Sequence, residues 1–191
     1  MEFRIIPASP SHAEFIAEAV MTAIGNEICC HMAGGAQRLP LVREVFTRLA
    51  RREDSQYSYL NSLIALDPEG NPAAAIVSYD GARLYELRQA FVDEANALLG
   101  WNVTQNDFQD ETSADEFYLD SLMVSPAYRR RGLAGRLIAL AAQRARENGK
   151  PLGLLVDYDN PEARRLYVST GFRSVGERPF AGTMMEHMQM A

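Results

Sequence analysis

Cysteine is nearly missing from this chain of 191 residues: its two cysteines, Cys29 and Cys30, are adjacent. A disulfide between neighbours is strained and rare, so no cross-linked framework is expected. CxxC spacing is absent, and Cys29, Cys30 and His31 in a row cannot easily face one ion, so no metal site is expected. No stretch reaches the ~18 uninterrupted apolar residues of a membrane span. The opening Met1-Glu2-Phe3-Arg4-Ile5-Ile6-Pro7 is too short and too charged for a signal peptide, which makes a cytoplasmic protein the expectation. Positive charge is also in deficit: Lys and Arg number 19 against 25 Asp and Glu, giving a net charge of -6. That balance argues against a nucleic-acid partner and favours a cationic one, such as an amine. Repeats, low-complexity tracts and interdomain linkers are absent. The chain has 47% hydrophobic residues, enough for one domain with a substantial core.

Residues 2–6 read as a first strand, and Ser11 as the cap of a helix carrying Ile16, Ala19, Val20 and Ala23 on one stripe. Residues 25–40 break that pattern, and 41–52 resume it. Residues 62–67 and 73–79 are strands joined by a turn at Pro68-Glu69-Gly70-Asn71-Pro72. Residues 83–99 form an amphipathic helix through Leu84, Leu87, Phe91, Ala95 and Leu98. A polar loop at 101–114 contains the only tryptophan. Strand 116–124, helix 132–148, strand 152–156, helix 160–170 and strands 172–175 and 183–190 complete the chain. The fold class is mixed α/β (α+β), with a sheet antiparallel at the start and parallel in the middle. The domain is single, 1–191, with an extra helical insertion at about 83–114. The methionine-rich last strand is a candidate dimer edge.

Two segments carry chemistry. Arg129-Arg130-Arg131-Gly132-Leu133-Ala134 follows a strand and opens a helix. The first N–H groups of a helix lack intrahelical partners and the dipole there favours anions, so this turn is a phosphate cradle. It is not a Walker loop, and the glycines of a full Gly-x-Gly-x-x-Gly dinucleotide fingerprint are missing. About 30 residues on comes Asn160-Pro161-Glu162-Ala163-Arg164-Arg165-Leu166-Tyr167-Val168-Ser169-Thr170-Gly171-Phe172. Arg-x-x-Gly-x-Ala after a strand, followed by Asn-x-x-Ala-x-x-Leu-Tyr-x-x-x-Gly-Phe, resembles the GCN5-related N-acetyltransferase (GNAT) family. The resemblance covers the element order of the whole chain and is sharp from 117 to 172.

The resemblance implies an enzyme that moves an acetyl group from acetyl-CoA, a co-substrate, to a primary amine by direct transfer. The other reading open at this stage is a CoA-binding sensor or structural module without catalysis. Strands 117–124 and 152–156 would splay apart around the donor. The backbone of Leu122, Met123 and Val124 would bind the pantetheine arm. The N–H groups of Arg129, Arg130, Arg131, Gly132, Leu133, Ala134 and Gly135 would hold the pyrophosphate. Asn160 would bind the arm, and Tyr167 would protonate the leaving thiolate. Asp120, read as sharing a strand face with Tyr118 and Leu122, is the first choice for the base that deprotonates the amine, and Glu116 the second. Asn160 before Pro161 is equally a helix cap. His187 reads as a surface residue. The segments 25–40 and 83–114 are expected to cover the acceptor pocket.

Overall fold

The computed structural model of the chain describes residues 2–191. Seven strands form one sheet: β1 (Arg4–Pro7), β2 (Ser62–Leu66), β3 (Pro72–Asp80), β4 (Phe117–Val124), β5 (Leu152–Asp157), β6 (Arg173–Phe180) and β7 (Thr183–Met190). Their spatial order is β1-β2-β3-β4-β5-β7-β6, and every adjacent pair is antiparallel except β4 with β5. The helices among the described residues are α1 (Ala13–Ile24), α2 (Asn26–Ala33), α3 (Leu39–Arg51), α4 (Leu84–Leu99), α5 (Leu133–Glu147) and α6 (Pro161–Thr170).

Side-chain alternation divides the core between the two faces of the sheet. In β2, Ile64 and Leu66 pack with α1 to α4, whereas Leu63 and Ala65 pack with the Leu133, Leu137, Ile138, Ala141 and Ala145 stripe of α5. All of β2 and the centre of β3 are buried because both faces are covered.

Four readings need correction. Residues 25–40 are not a plain break: Gly25 and Gly34 bracket α2, whose Cys29, Met32 and Ala33 are buried. Its short length hid the 3.6-residue period. The N-cap of α1 is His12 rather than Ser11, and Ser9 caps the short 3-10 turn before it, its N–H donating to His12 Nδ1 at 3.0 Å. β7 is not an edge, since it lies between β5 and β6, and β6 takes the outer position. Finally, Trp101 is not a free loop residue: half-buried against the core, its Nε1 donates to the Met32 carbonyl at 3.2 Å and its ring meets Phe91 edge-on at 6.1 Å. Phe91 in turn stacks on Phe46 of α3 at 6.1 Å, which fastens α4 to the main core.

Candidate active site

Strands β4 and β5 pair only at Phe117 with Leu152 and at Tyr118 with Gly153. Beyond those rungs β4 stays on β3 as far as Val124, and β5 stays on β7 as far as Asp157. The two strands therefore diverge into a V-shaped opening. The Ser125 N–H donates to the Ala73 carbonyl at 3.0 Å. Antiparallel pairing alternates, so the main chain of Met123 and Ser121 also faces β3, while that of Leu122 and Val124 faces the opening. Of the three residues expected there, Met123 is turned away and its side chain lies in the core of the other face.

At the wide end of the V stands the loop before α5. Arg129 is extended, Arg130 has φ +60° and Gly132, the N-cap of α5, has φ +76°. A left-handed arginine costs on the order of 1–2 kcal/mol and needs support from its surroundings. At Gly132 the positive φ itself demands glycine, and an added Cβ would find nothing within 4 Å. Arg136 N–H makes the first bond of the helix, to the Gly132 carbonyl at 3.2 Å. Among the described residues the N–H groups of Leu133, Ala134 and Gly135 have no main-chain acceptor, and they converge at the positive end of the helix dipole. The side chains of Arg129, Arg130 and Arg131 are exposed.

Helix α6 borders the V beside β5. Asn160 is its N-cap, accepting the Ala163 N–H at 3.1 Å through Oδ1. Its Nδ2 has no hydrogen-bond partner among the described residues, so capping leaves a donor available. Arg164 clamps α6 to β7 through Glu186, with contacts of 2.6 and 3.0 Å. Tyr167 packs edge-on against Phe172 at 5.6 Å, in the apolar cluster that includes Leu122 and Val124. Its hydroxyl has no hydrogen-bond partner among the described residues, and burial pushes it up to about 12, so it holds its proton at neutral pH.

Asp120 lies on the opposite side. Val77 pairs with Ser121 and Ser78 with Leu119, which leaves Asp120 as the extra residue of a bulge. The bulge reverses the alternation. Tyr118 faces Tyr79, Leu84 and Leu87, whereas Leu122 faces α5, so the one-face reading of Tyr118, Asp120 and Leu122 does not hold. Ser121 Oγ donates to Asp120 Oδ1 at 2.7 Å. Burial, reinforced by the Glu111 carboxylate, raises the Asp120 carboxyl to about 7 against the pull of Ser121 and Gln56. The hydroxyls of Tyr57, Tyr79 and Tyr118 all feel the charge of Asp120, so this group has an aromatic surround. Buried Glu111 accepts from Gln56 Nε2 and Tyr79 Oη, each at 3.1 Å, and pairs with Arg88. Arg88 also holds Asp110 at 2.9 Å. Asp110 and Glu111 thus share a single guanidinium, and Asp120 has none among the described residues. Gln56 Oε1 is buried without a partner.

The geometry resembles that of known proteins. A model of the acetyltransferase (GNAT) family matches residues 79–172. An acetyltransferase of Agrobacterium fabrum is 37% identical over 106 residues, which is 53% of this chain and 72% of that one. The chain belongs to the GNAT family. A crystal structure of another acetyltransferase superposes with a TM-score of 0.74 at 27% identity, covering 98% of both chains. An N-acetyltransferase from Staphylococcus aureus Mu50 shares the fold with a TM-score of 0.76 at 20% identity, over 98% of this chain and all of that one. This GNAT chain is accordingly an acetyltransferase with the family's mixed, splayed sheet, and acetyl-CoA is the family's donor.

Glu116, the second candidate base, has partners at the vertex of the V that were not legible in the sequence. Glu116 is fully buried and accepts from Thr112 Oγ1 at 2.8 Å and Gln189 Nε2 at 2.9 Å, and it pairs with His187 Nε2 at 2.7 Å. Burial would raise its carboxyl, but His187, Gln189 and Thr112 outweigh that and hold it low. His187 is therefore part of a buried cluster, not a surface residue. Glu116 reaches β7 by passing over Gly153, where a Cβ would meet Glu116 Oε2 at 1.9 Å. The charge of Arg88, set within the apolar stripe of α4, was the one sequence signal of a buried ion pair.

Proposed function

We propose that this GNAT chain transfers acetyl from acetyl-CoA to a primary amine directly, with both substrates bound at once. The observation that carries the reading is the divergence of β4 and β5 after two rungs, with the main chain of Leu122 and the Val124 N–H unpaired along one arm among the described residues (the Val124 carbonyl accepts from Arg129 Nε at 3.3 Å) and converging N–H groups at its open end. Leu122 and Val124 would hold the pantetheine amides as a missing strand would, and Asn160 Nδ2 would bind the same arm. The N–H groups of the 129–135 loop would hold the pyrophosphate.

Asp120 and Tyr167 lie on opposite faces of the sheet, suited to opposite ends of the reaction. An ammonium group is not nucleophilic until it loses a proton. Asp120, poised near neutrality, takes that proton, directly or through water. As the nitrogen–carbon bond forms, the Val124 N–H donates to the oxyanion. The carbon–sulfur bond then breaks, Tyr167 gives its proton to the leaving sulfur, and the nitrogen's second proton passes through water back to Tyr167, yielding a neutral amide and the free thiol. Holding both reactants in one cleft supplies the rest. The acceptor class is cationic: the net charge is -6, and near Asp120 two further carboxylates, Asp110 and Glu111, share the one guanidinium of Arg88.

The test is incubation with acetyl-CoA and a panel of polyamines, amino-acid amines, aminoglycosides and peptides, following thiol release. Intersecting initial-rate lines are expected with a reactive amine. Parallel lines, or an acetylated enzyme, would overturn direct transfer. Silence across the panel together with tight CoA binding would overturn the amine acceptor.

A further inference from the structure

The loop at 129–135 is fastened on both sides to a part of the protein remote from the V. Tyr128, just before it, donates its hydroxyl to Asp67 Oδ2 at 2.6 Å, a tie across 61 residues of sequence. The Tyr128 ring also meets Phe3 edge-on at 5.8 Å. Arg136, just after it, donates from Nη2 to the Phe3 carbonyl at 3.0 Å. Asp67 is 7% exposed and is itself fixed by the Asn71 N–H at 2.7 Å and Nδ2 at 3.2 Å. The two fastenings thus rest on Phe3, just before β1, and on Asp67, at the start of the β2–β3 turn.

Between them lie the two left-handed residues, Arg130 and Gly132. Glycine adopts that conformation freely, but arginine does so only where its surroundings over-determine it. With one end released, Arg130 has an easier conformation to fall into, and the N–H groups that follow it would no longer converge. We propose that Tyr128, acting through Asp67, is a positioning residue for the donor, holding the 129–135 loop in the left-handed form that receives a pyrophosphate. The proposal rests on the reading of this loop as the pyrophosphate cradle.

The experiment uses two ligands, CoA and pantetheine, which lacks the pyrophosphate. Binding of CoA is measured by calorimetry and binding of pantetheine by its displacement. Tyr128→Phe should weaken CoA roughly fivefold to tenfold, the scale of one typical net hydrogen bond, and leave pantetheine unchanged. Adding Arg130→Gly, which lowers the cost of the left-handed conformation, should recover most of that loss, read as the ratio of the double variant to Arg130→Gly alone. Asp67→Asn should fall between parent and Tyr128→Phe, because an amide oxygen still accepts. Equal weakening of both ligands, unchanged CoA binding, or no recovery with Arg130→Gly would each overturn the proposal. Gly132→Val separates the two ideas. If it spares CoA, the cradle reading itself fails. If it weakens CoA while Tyr128→Phe does not, only the role of Tyr128 fails.

Discussion

Asp120 and Tyr167 are both half-buried acids, and the same cause, partial desolvation, acts on them with opposite use. Burial penalises the anion in each case. For a carboxyl that starts near 4, the shift ends at about 7, where half the molecules are ready to accept a proton. For a phenol that starts near 10, it ends at about 12, where the proton is available only as a donation. Two outcomes follow. The rate with a saturating amine should rise through about pH 7 as Asp120 ionises, and Asp120→Asn should remove that limb of the profile. A profile unchanged in Asp120→Asn would assign the limb to another group. Stability carries an independent sign. From about pH 4 to 7 the folded state keeps a proton that the unfolded state has lost, so the native protein loses stability as pH rises through that window. Asp120→Asn cannot ionise, and its melting temperature relative to the parent should therefore climb between pH 4 and pH 8. Tyr167→Phe should lower turnover by roughly 10²-fold while CoA affinity stays within about twofold. Equal losses in both would make Tyr167 a binding residue only.

At the level of elements, the vertex of the V is set by what Gly153 lacks. β4 and β5 stay together for two rungs, and there Glu116 crosses over Gly153 to the β7 residues His187 and Gln189. A methyl group at 153 would collide with that carboxylate. Gly153→Ala should cost about 2–3 kcal/mol in chemical denaturation, the scale of overpacking in a core. In a chain already carrying Glu116→Ala, the same change should cost less than about 1 kcal/mol. Additive costs would mean that the clash lies elsewhere. Such a crossing was beyond the sequence, because it depends on a strand order, β4-β5-β7, that alternation does not encode. The bulge at Asp120 was hidden for the same reason: it is a mismatch between two strands 40 residues apart, and neither alone records it. What the sequence did record were the features written in a few consecutive residues. Pro161 after Asn160 read correctly as a cap, and Gly132 as the turn into α5, since each rests on local backbone chemistry.

For the molecule as a whole, the segment at 83–114 is bound into the core. A segment that did no more than cover a pocket could be cut away without unfolding the rest. The structure argues otherwise. Leu84, Leu87, Phe91, Ala95 and Leu99 of α4 are buried, Phe91 stacks on Phe46, and Trp101 and Phe108 close over Phe91. The same segment supplies Arg88 and Glu111, a pair that is almost fully buried. Removing it would expose the apolar faces of α3 and Tyr79 and would leave Gln56 without its acceptor. Replacing 83–114 by a short linker should therefore abolish cooperative unfolding in calorimetry and produce dye-binding apolar surface. A shortened chain that unfolds cooperatively and only broadens its range of amines would show the segment to be a detachable lid. The gentler change, Arg88→Ala, leaves the helix in place but strands Glu111 and Asp110 without their cation. It should destabilise the protein by about 3–5 kcal/mol, as breaking a buried pair does. It should also weaken catalysis at neutral pH, because an unneutralised Glu111 raises the proton affinity of Asp120 further and moves the rising limb of the pH profile above 7. A limb that stays in place in Arg88→Ala would separate the ion pair from the reaction and leave it a part of the core alone.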